Sequence, residues 1–238
     1  SKDYTYYEGL AAYTDGDNFD EALAAEYKAA AMDELTAAGA TFPVKMLMCY
    51  NPTSANWAQE CQVVEQQIET VLGADYVDII IQAGPETGFL GAIRRTGKYA
   101  FMKCNWGADY ADPETWTDPF STDSSYSFIF KSTDPETQAL YAEYTELVAA
   151  AKAITDDMDA RYTAFAKAEA FLLDHAFAVP FSISNRSYQM CNLNVFEGQY
   201  ASFGMANQRY KDQHLYDTSM GLEEYQAAYA EWQSKKAG

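Results

Sequence analysis

Histidine is nearly missing from this chain, with only His175 and His214 in 238 residues. His175 closes an amphipathic stretch, where its ring suits the carbonyl end of a helix. His214 lies in a polar segment with no acidic or cysteine ligand at metal spacing. The four cysteines, Cys49, Cys61, Cys104 and Cys191, include no CxxC pair, which argues against a zinc ribbon or a thioredoxin-like centre. Cys49 and Cys104 fall on expected strands and Cys61 on the apolar face of an expected helix. Buried free thiols are therefore expected, with a disulfide between the strand cysteines as the alternative. HExxH, GxSxG, P-loop and GxGxxG patterns are all absent. No run approaches the roughly twenty apolar residues of a membrane helix. The opening "SKDYTYYEGL" has neither the basic start nor the apolar core of a signal peptide.

Positive charge is also scarce. Sixteen basic residues stand against 35 acidic ones, a formal charge of −19. Such a chain is repelled by nucleic acid and by anionic membrane surfaces. An acidic solvated surface is the plain reading, and a preference for cationic ligands the sharper one. What is abundant is apolar: 48% of residues, with 15% aromatic, enough to bury a full core in one large domain or two small ones.

Periodicity outlines an α/β arrangement. "DNFDEALAAEYKAAAMDELTAAGA" opens on Asn18 and Asp20 as caps and stops at Gly39, as a helix does. "FPVKMLMCY" (42–50) is a strand with Pro43 at its start. In the next segment Trp57, Cys61, Val64, Ile68 and Val71 share one helical face, closed by Gly73. "DYVDIIIQ" (75–82) is a second strand, "TGFLGAIRRTG" a short helix and "KYAFMKCNW" (98–106) a third strand. Strands separated by helices favour parallel pairing, with ligands bound beyond the strands' carboxyl ends. Two further helices follow, with core stripes of Leu140, Tyr144, Leu147 or Val148, Ala151 and Ile154, then Met158, Tyr162, Phe165 and Leu172. "DPET" occurs at 112–115 and 134–137, each time as a helix start with Asp as cap and Pro in the first turn. "FAVPFSIS" and "RSYQMCNL" are candidate strands, and "LEEYQAAYAEWQSKK" (222–236) is a last helix.

The chemistry concentrates in "CNWGADYADPETW" (104–116), beyond the third strand. Rings offer apolar walls, and a carboxylate among them offers one fixed charge. Paired carboxylates in such a loop also occur in sugar-cleaving sites, but nothing in this spacing makes two carboxyls face one bond. A lone carboxylate beside a ring suits an ammonium group, through a charge-assisted hydrogen bond and ring stacking. Binding therefore outranks catalysis. "TDGDNFDE" (14–21) has the composition of a calcium loop, but Phe19 takes a ligand position and Asp20 that of the turn glycine. Neither a metal nor a cofactor is expected.

"NWGADYADPETW", preceded by "GKYAFMKC", resembles the oligopeptide-binding proteins of ABC importers, where a strand runs into W-x-A-D-Y-x-D-P. "AEAFLLDHAFAVPFSIS" resembles the same family's later helix and strand. "RYK" (209–211) followed by "LEEYQAAYAEWQSKKA" resembles the tail of its Gram-positive members. The three motifs stand in the family's order. The resemblance implies a periplasmic-binding-protein-like type II lobe, a mixed sheet flanked by helices. It further implies the second lobe of a bilobal clamp over residues 1–200 and a returning segment over 201–238, with the N-terminal lobe missing. The whole protein would be extracytoplasmic, lipid-anchored at the cell surface or periplasmic.

By the same resemblance, Asp109 pairs with the α-ammonium of a bound peptide and Trp106 lines the adjoining pocket. The backbone from Asn105 through Gly107 to Ala108 hydrogen-bonds to the peptide main chain as an added strand. Gly107, lacking a Cβ, lets a ligand backbone approach. Tyr110 fits as a structural ring and Asp112-Pro113 as a helix or turn start. The implied partners are an oligopeptide, an ABC permease and the first lobe, without nucleic acid. Three rivals stand beside this: a binder of oligosaccharide or another small solute, a hydrolase using Asp109 and Asp112, and an interaction module acting through its acidic surface.

Overall fold

Short aspartate caps start most of the long helices. The computed structural model describes residues 6–13, 19–126, 132–181, 191–198 and 210–236. After α1 (Tyr6–Ala11), helix α2 (Glu21–Ala37) begins where the Asp20 carboxylate accepts from the Leu23 N–H at 2.9 Å. It ends just before Gly39, which turns the chain at φ +80°. Residues 14–18 of the calcium-like stretch lie outside the described residues, and Asp20 is occupied as a cap. Strand β1 (Val44–Tyr50), helix α3 (Trp57–Leu72) and strand β2 (Val77–Ala83) make one βαβ unit, its strands paired parallel from Val44–Val77 to Tyr50–Ala83.

The face of α3 that meets the sheet follows the expected spacing except at its end. Cys61 is buried with Met48, Val77 and Ile79, and Trp57, Val64, Ile68 and Leu72 pack around them. Val71, expected on this face, is exposed, and Leu72 takes its place. At 3.6 residues per turn either position lies near the stripe, and contact with the sheet selects one. Glu69, on the same helix, accepts the Ile79 N–H of β2 at 2.9 Å.

The third strand is reduced to one bridge. Phe101 pairs with Met48 in parallel sense, and the Ala100 N–H donates to the Leu47 carbonyl at 2.8 Å. Residues 102–108 then have no regular structure. Side chains hold this stretch instead of a ladder: Lys103 pairs with Glu60 of α3 and lies 5.9 Å from the Trp57 ring centroid. Arg94, in a π-helical turn (Leu90–Arg94), donates to the Cys104 sulfur at 3.5 Å. Cys104 is accordingly exposed, not buried in a strand, and all four cysteines are free. Partial desolvation by the surrounding protein still pushes its thiol up, against the opposing pull of Arg94.

Helices α4 (Glu114–Thr117), α5 (Pro135–Ala153) and α6 (Met158–Asp174) follow. Both "DPET" segments start helices: Asp112 Oδ1 accepts from the Glu114 N–H at 2.9 Å, and Asp134 from the Thr137 N–H at 2.8 Å. Helices α5 and α6 pack on each other through Tyr144, Val148, Ala151, Phe165 and Leu172, all buried. Tyr141 is buried beside them, whereas Met158, expected in the core, is exposed. One turn on, Arg161 is 8% exposed, a cation inside this helix pair. His175 caps α6, its ring 4.2 Å from Phe171 and 5.9 Å from Phe177.

By contact density the chain divides into two units, residues 1–105 with 117–177, and residues 106–116 with 178–238. In the second, Phe196 is buried beneath Tyr225, Tyr229 and Trp232 of helix α7 (Leu222–Lys236), with ring centroids 5.1, 5.4 and 6.0 Å away. The Tyr216 hydroxyl and the His214 N–H both donate to Glu197, and together they hold its carboxyl below the usual range. Of the candidate strands at 177–184 and 186–193, residues 182–190 lie outside the described residues. Leu193 makes a single antiparallel bridge to Leu215. Among the described residues no helix is long and apolar enough to cross a membrane.

Candidate ligand-binding site

Residues 106–116 form a loop closed on its own first helical turn. Pro113 and the Asp112 carboxylate start α4, and the Trp116 N–H bonds back to the Pro113 carbonyl at 3.0 Å. Thr115 lies in that turn and is 4% exposed. Its carbonyl accepts the indole Nε1–H of Trp106 at 2.6 Å, and its hydroxyl oxygen accepts the Asp109 N–H at 3.1 Å. A ring nine positions upstream and a backbone six positions upstream are thus tied to one buried residue.

The residues singled out from the sequence occupy distinct surroundings. Trp106 is half-buried, its one polar donor already engaged. Asp109 is exposed, and among the described residues its carboxylate has neither a hydrogen-bond nor an ion-pair partner. Gly107 is exposed as well, and a Cβ built there meets no protein atom within 4 Å. Ala108 is half-buried and Asn105 exposed. The backbone N–H groups of Asn105, Gly107 and Ala108 have no partner among the described residues. Tyr110, expected as a structural ring, is 48% exposed, and Trp116 is 49% exposed. Asp112 is engaged at the helix start, in keeping with its expected capping role and not with a second free carboxylate beside Asp109.

A carboxylate and main-chain donors unpaired among the described residues, beside a ring held by its nitrogen, offer one negative charge, hydrogen-bond donors and an apolar wall. Thr115 was not legible from the sequence, because its two contacts arise only when the loop closes.

No family model matches the chain. The oligopeptide-binding protein AliA of Streptococcus pneumoniae is 31% identical to it over 247 residues, covering 95% of this chain and 37% of AliA. The chain is homologous to the oligopeptide-binding proteins. AmiA of the same organism is 29% identical, over 88% of this chain and 34% of AmiA. The oligopeptide-binding protein SarA of Streptococcus gordonii is 27% identical, over 92% of this chain and 36% of SarA. Among solved structures, the substrate-binding domain of an oligopeptide ABC transporter from Bacillus anthracis superposes with a TM-score of 0.53 at 25% identity. That match covers 66% of this chain and 28% of the other. The fold is therefore the α/β fold of oligopeptide-transporter substrate-binding domains, and the chain spans little more than a third of its relatives' length.

Proposed function

We propose that this chain is a lobe of an extracytoplasmic, bilobal oligopeptide-binding protein that delivers its ligand to an ABC permease. Asp109 takes the peptide α-ammonium, Trp106 forms the wall of the adjoining pocket, and the 105–108 backbone pairs with the peptide main chain. The observation carrying this reading is the exposed Asp109 carboxylate, unpartnered among the described residues in a loop that also anchors Trp106. The names of the homologous proteins support the ligand class.

The mechanism is capture without bond chemistry. Every peptide with a free amino end carries an ammonium and a main chain, so a site addressing those groups accepts many sequences. Closure of a second lobe over the ligand excludes water. The lower local dielectric strengthens the attraction between Asp109 and the ammonium group.

The test compares peptides with their Nα-acetylated forms on the protein as its gene encodes it. Acetylation removes the cation, and Asp109→Asn removes its partner. Each change is expected to weaken binding by about tenfold to a hundredfold, as for a lost hydrogen bond to a charged group. Unchanged affinity in both cases overturns the assignment of Asp109.

A further inference from the structure

Thr115 touches both halves of the proposed site while remaining almost inaccessible itself, at 4% exposure. Its carbonyl holds the Trp106 indole and its hydroxyl holds the Asp109 backbone. The residue is itself fixed, since its N–H donates to the Asp112 carbonyl at 3.3 Å in the first turn of α4. A β-branched side chain has few rotamers, so the hydroxyl stays where the Asp109 N–H finds it.

We infer that Thr115 is the positioning residue of this site, setting the Asp109 carboxylate at a constant offset from the Trp106 ring. The inference rests on the reading of Asp109 and Trp106 given above. Thr115 does not contact the ligand. Its effect is exerted through the Asp109 N–H: without the hydroxyl acceptor, the Asp109 backbone loses a bond that ties it to α4. The carboxylate then samples positions that no longer match a ligand held against the ring. Loss of pre-organisation lowers affinity even when every contacting group is present. The backbone half of the clamp, from Trp106 to the Thr115 carbonyl, survives substitution, so the ring remains as an internal reference.

The experiment is a competition on the protein as its gene encodes it. A pentapeptide library with free amino ends is mixed with an equal amount of the same library acetylated at Nα. Peptides retained by folded protein after gel filtration are counted by mass spectrometry. The ratio of free to acetylated peptide does not depend on the fraction of protein that folds. Wild type is expected to enrich the free form and Thr115→Ser to stay within about twofold of it, because serine restores the hydroxyl. Thr115→Val, of matching shape but without an acceptor, is expected to lose about tenfold of the enrichment. Thr115→Ala carries the same comparison should the valine variant not fold. Enrichment that is lost in Asp109→Asn yet kept in Thr115→Val or Thr115→Ala overturns the positioning role alone. Absence of enrichment in wild type overturns the reading of Asp109 and this inference with it.

Discussion

The guanidinium of Arg161 lies 3.0 Å from the carbonyl oxygen of Ile154, the residue that caps α5. The same Nη1 reaches the carbonyls of Ala151 at 3.2 Å and Lys152 at 3.0 Å, and the cation stacks on Phe165 with its centre 4.8 Å from the ring centroid. Helix α6 thus supplies the positive charge that the carbonyl end of α5 favours.

Removing that cation leaves helix-end carbonyls short of donors in a buried place. Arg161→Met keeps much of the volume and is expected to cost about 2–3 kcal/mol. Arg161→Lys recovers only part, because a point charge does not reproduce the planar fork. Urea unfolding midpoints of the three proteins check this, and a methionine variant equal to wild type contradicts it.

Tyr144 is fully buried and donates its hydroxyl to the Thr117 carbonyl at 2.8 Å. Burial, with smaller contributions from Glu169 and Asp118, pushes its phenol well above the ordinary range. The folded state therefore keeps the proton while the unfolded chain releases it above about pH 10, and stability falls as pH rises beyond that point. Tyr144→Phe is expected to cost about 1–2 kcal/mol at neutral pH, where the Thr117 carbonyl loses its donor. The deficit should shrink above about pH 10, since phenylalanine has no proton to lose. Denaturation curves at neutral and alkaline pH compare the two; a constant gap contradicts the burial effect.

Gly107 separates folding from binding. A methyl group there meets no protein atom, so Gly107→Ala should change stability by less than about 0.5 kcal/mol. If a peptide backbone lies along this stretch, the same methyl obstructs it, and affinity should fall without a change in melting temperature. Calorimetry together with a thermal melt measures both; unchanged affinity argues against ligand backbone at Gly107.

Phe196 is a buried ring under α7, packed against Tyr225, Tyr229 and Trp232 of that helix. Phe196→Ala is expected to loosen the 222–236 helix by about 3 kcal/mol. Hydrogen exchange should then quicken along α7 and remain slow along β1 and β2. Equal quickening in both places contradicts the division of the chain into two units.

Much of the local structure was legible in short stretches of sequence. Helix α7 spans 222–236 as its pattern indicates, both "DPET" segments start helices, and the α3 face from Trp57 to Ile68 is the one buried. The region near the site was less legible. "KYAFMKCNW" alternates as a strand does, yet Lys103 and Cys104 are anchored sideways to Glu60 and Arg94, so only Phe101 joins the sheet. The alternation reports that a residue can face a sheet, not that a neighbouring edge receives it.

What the sequence determined alone were caps, turns and helical faces, because each depends on residues within about four positions of one another. It also carried the likeness to oligopeptide-binding proteins through the run from Trp106 to Pro113. Tertiary structure alone decided that Arg161 is buried, that Leu72 displaces Val71, and that Thr115 holds both Trp106 and Asp109. These depend on groups meeting across a closed loop or between packed elements. Their energies exist only once the chain has folded, and no local pattern records them.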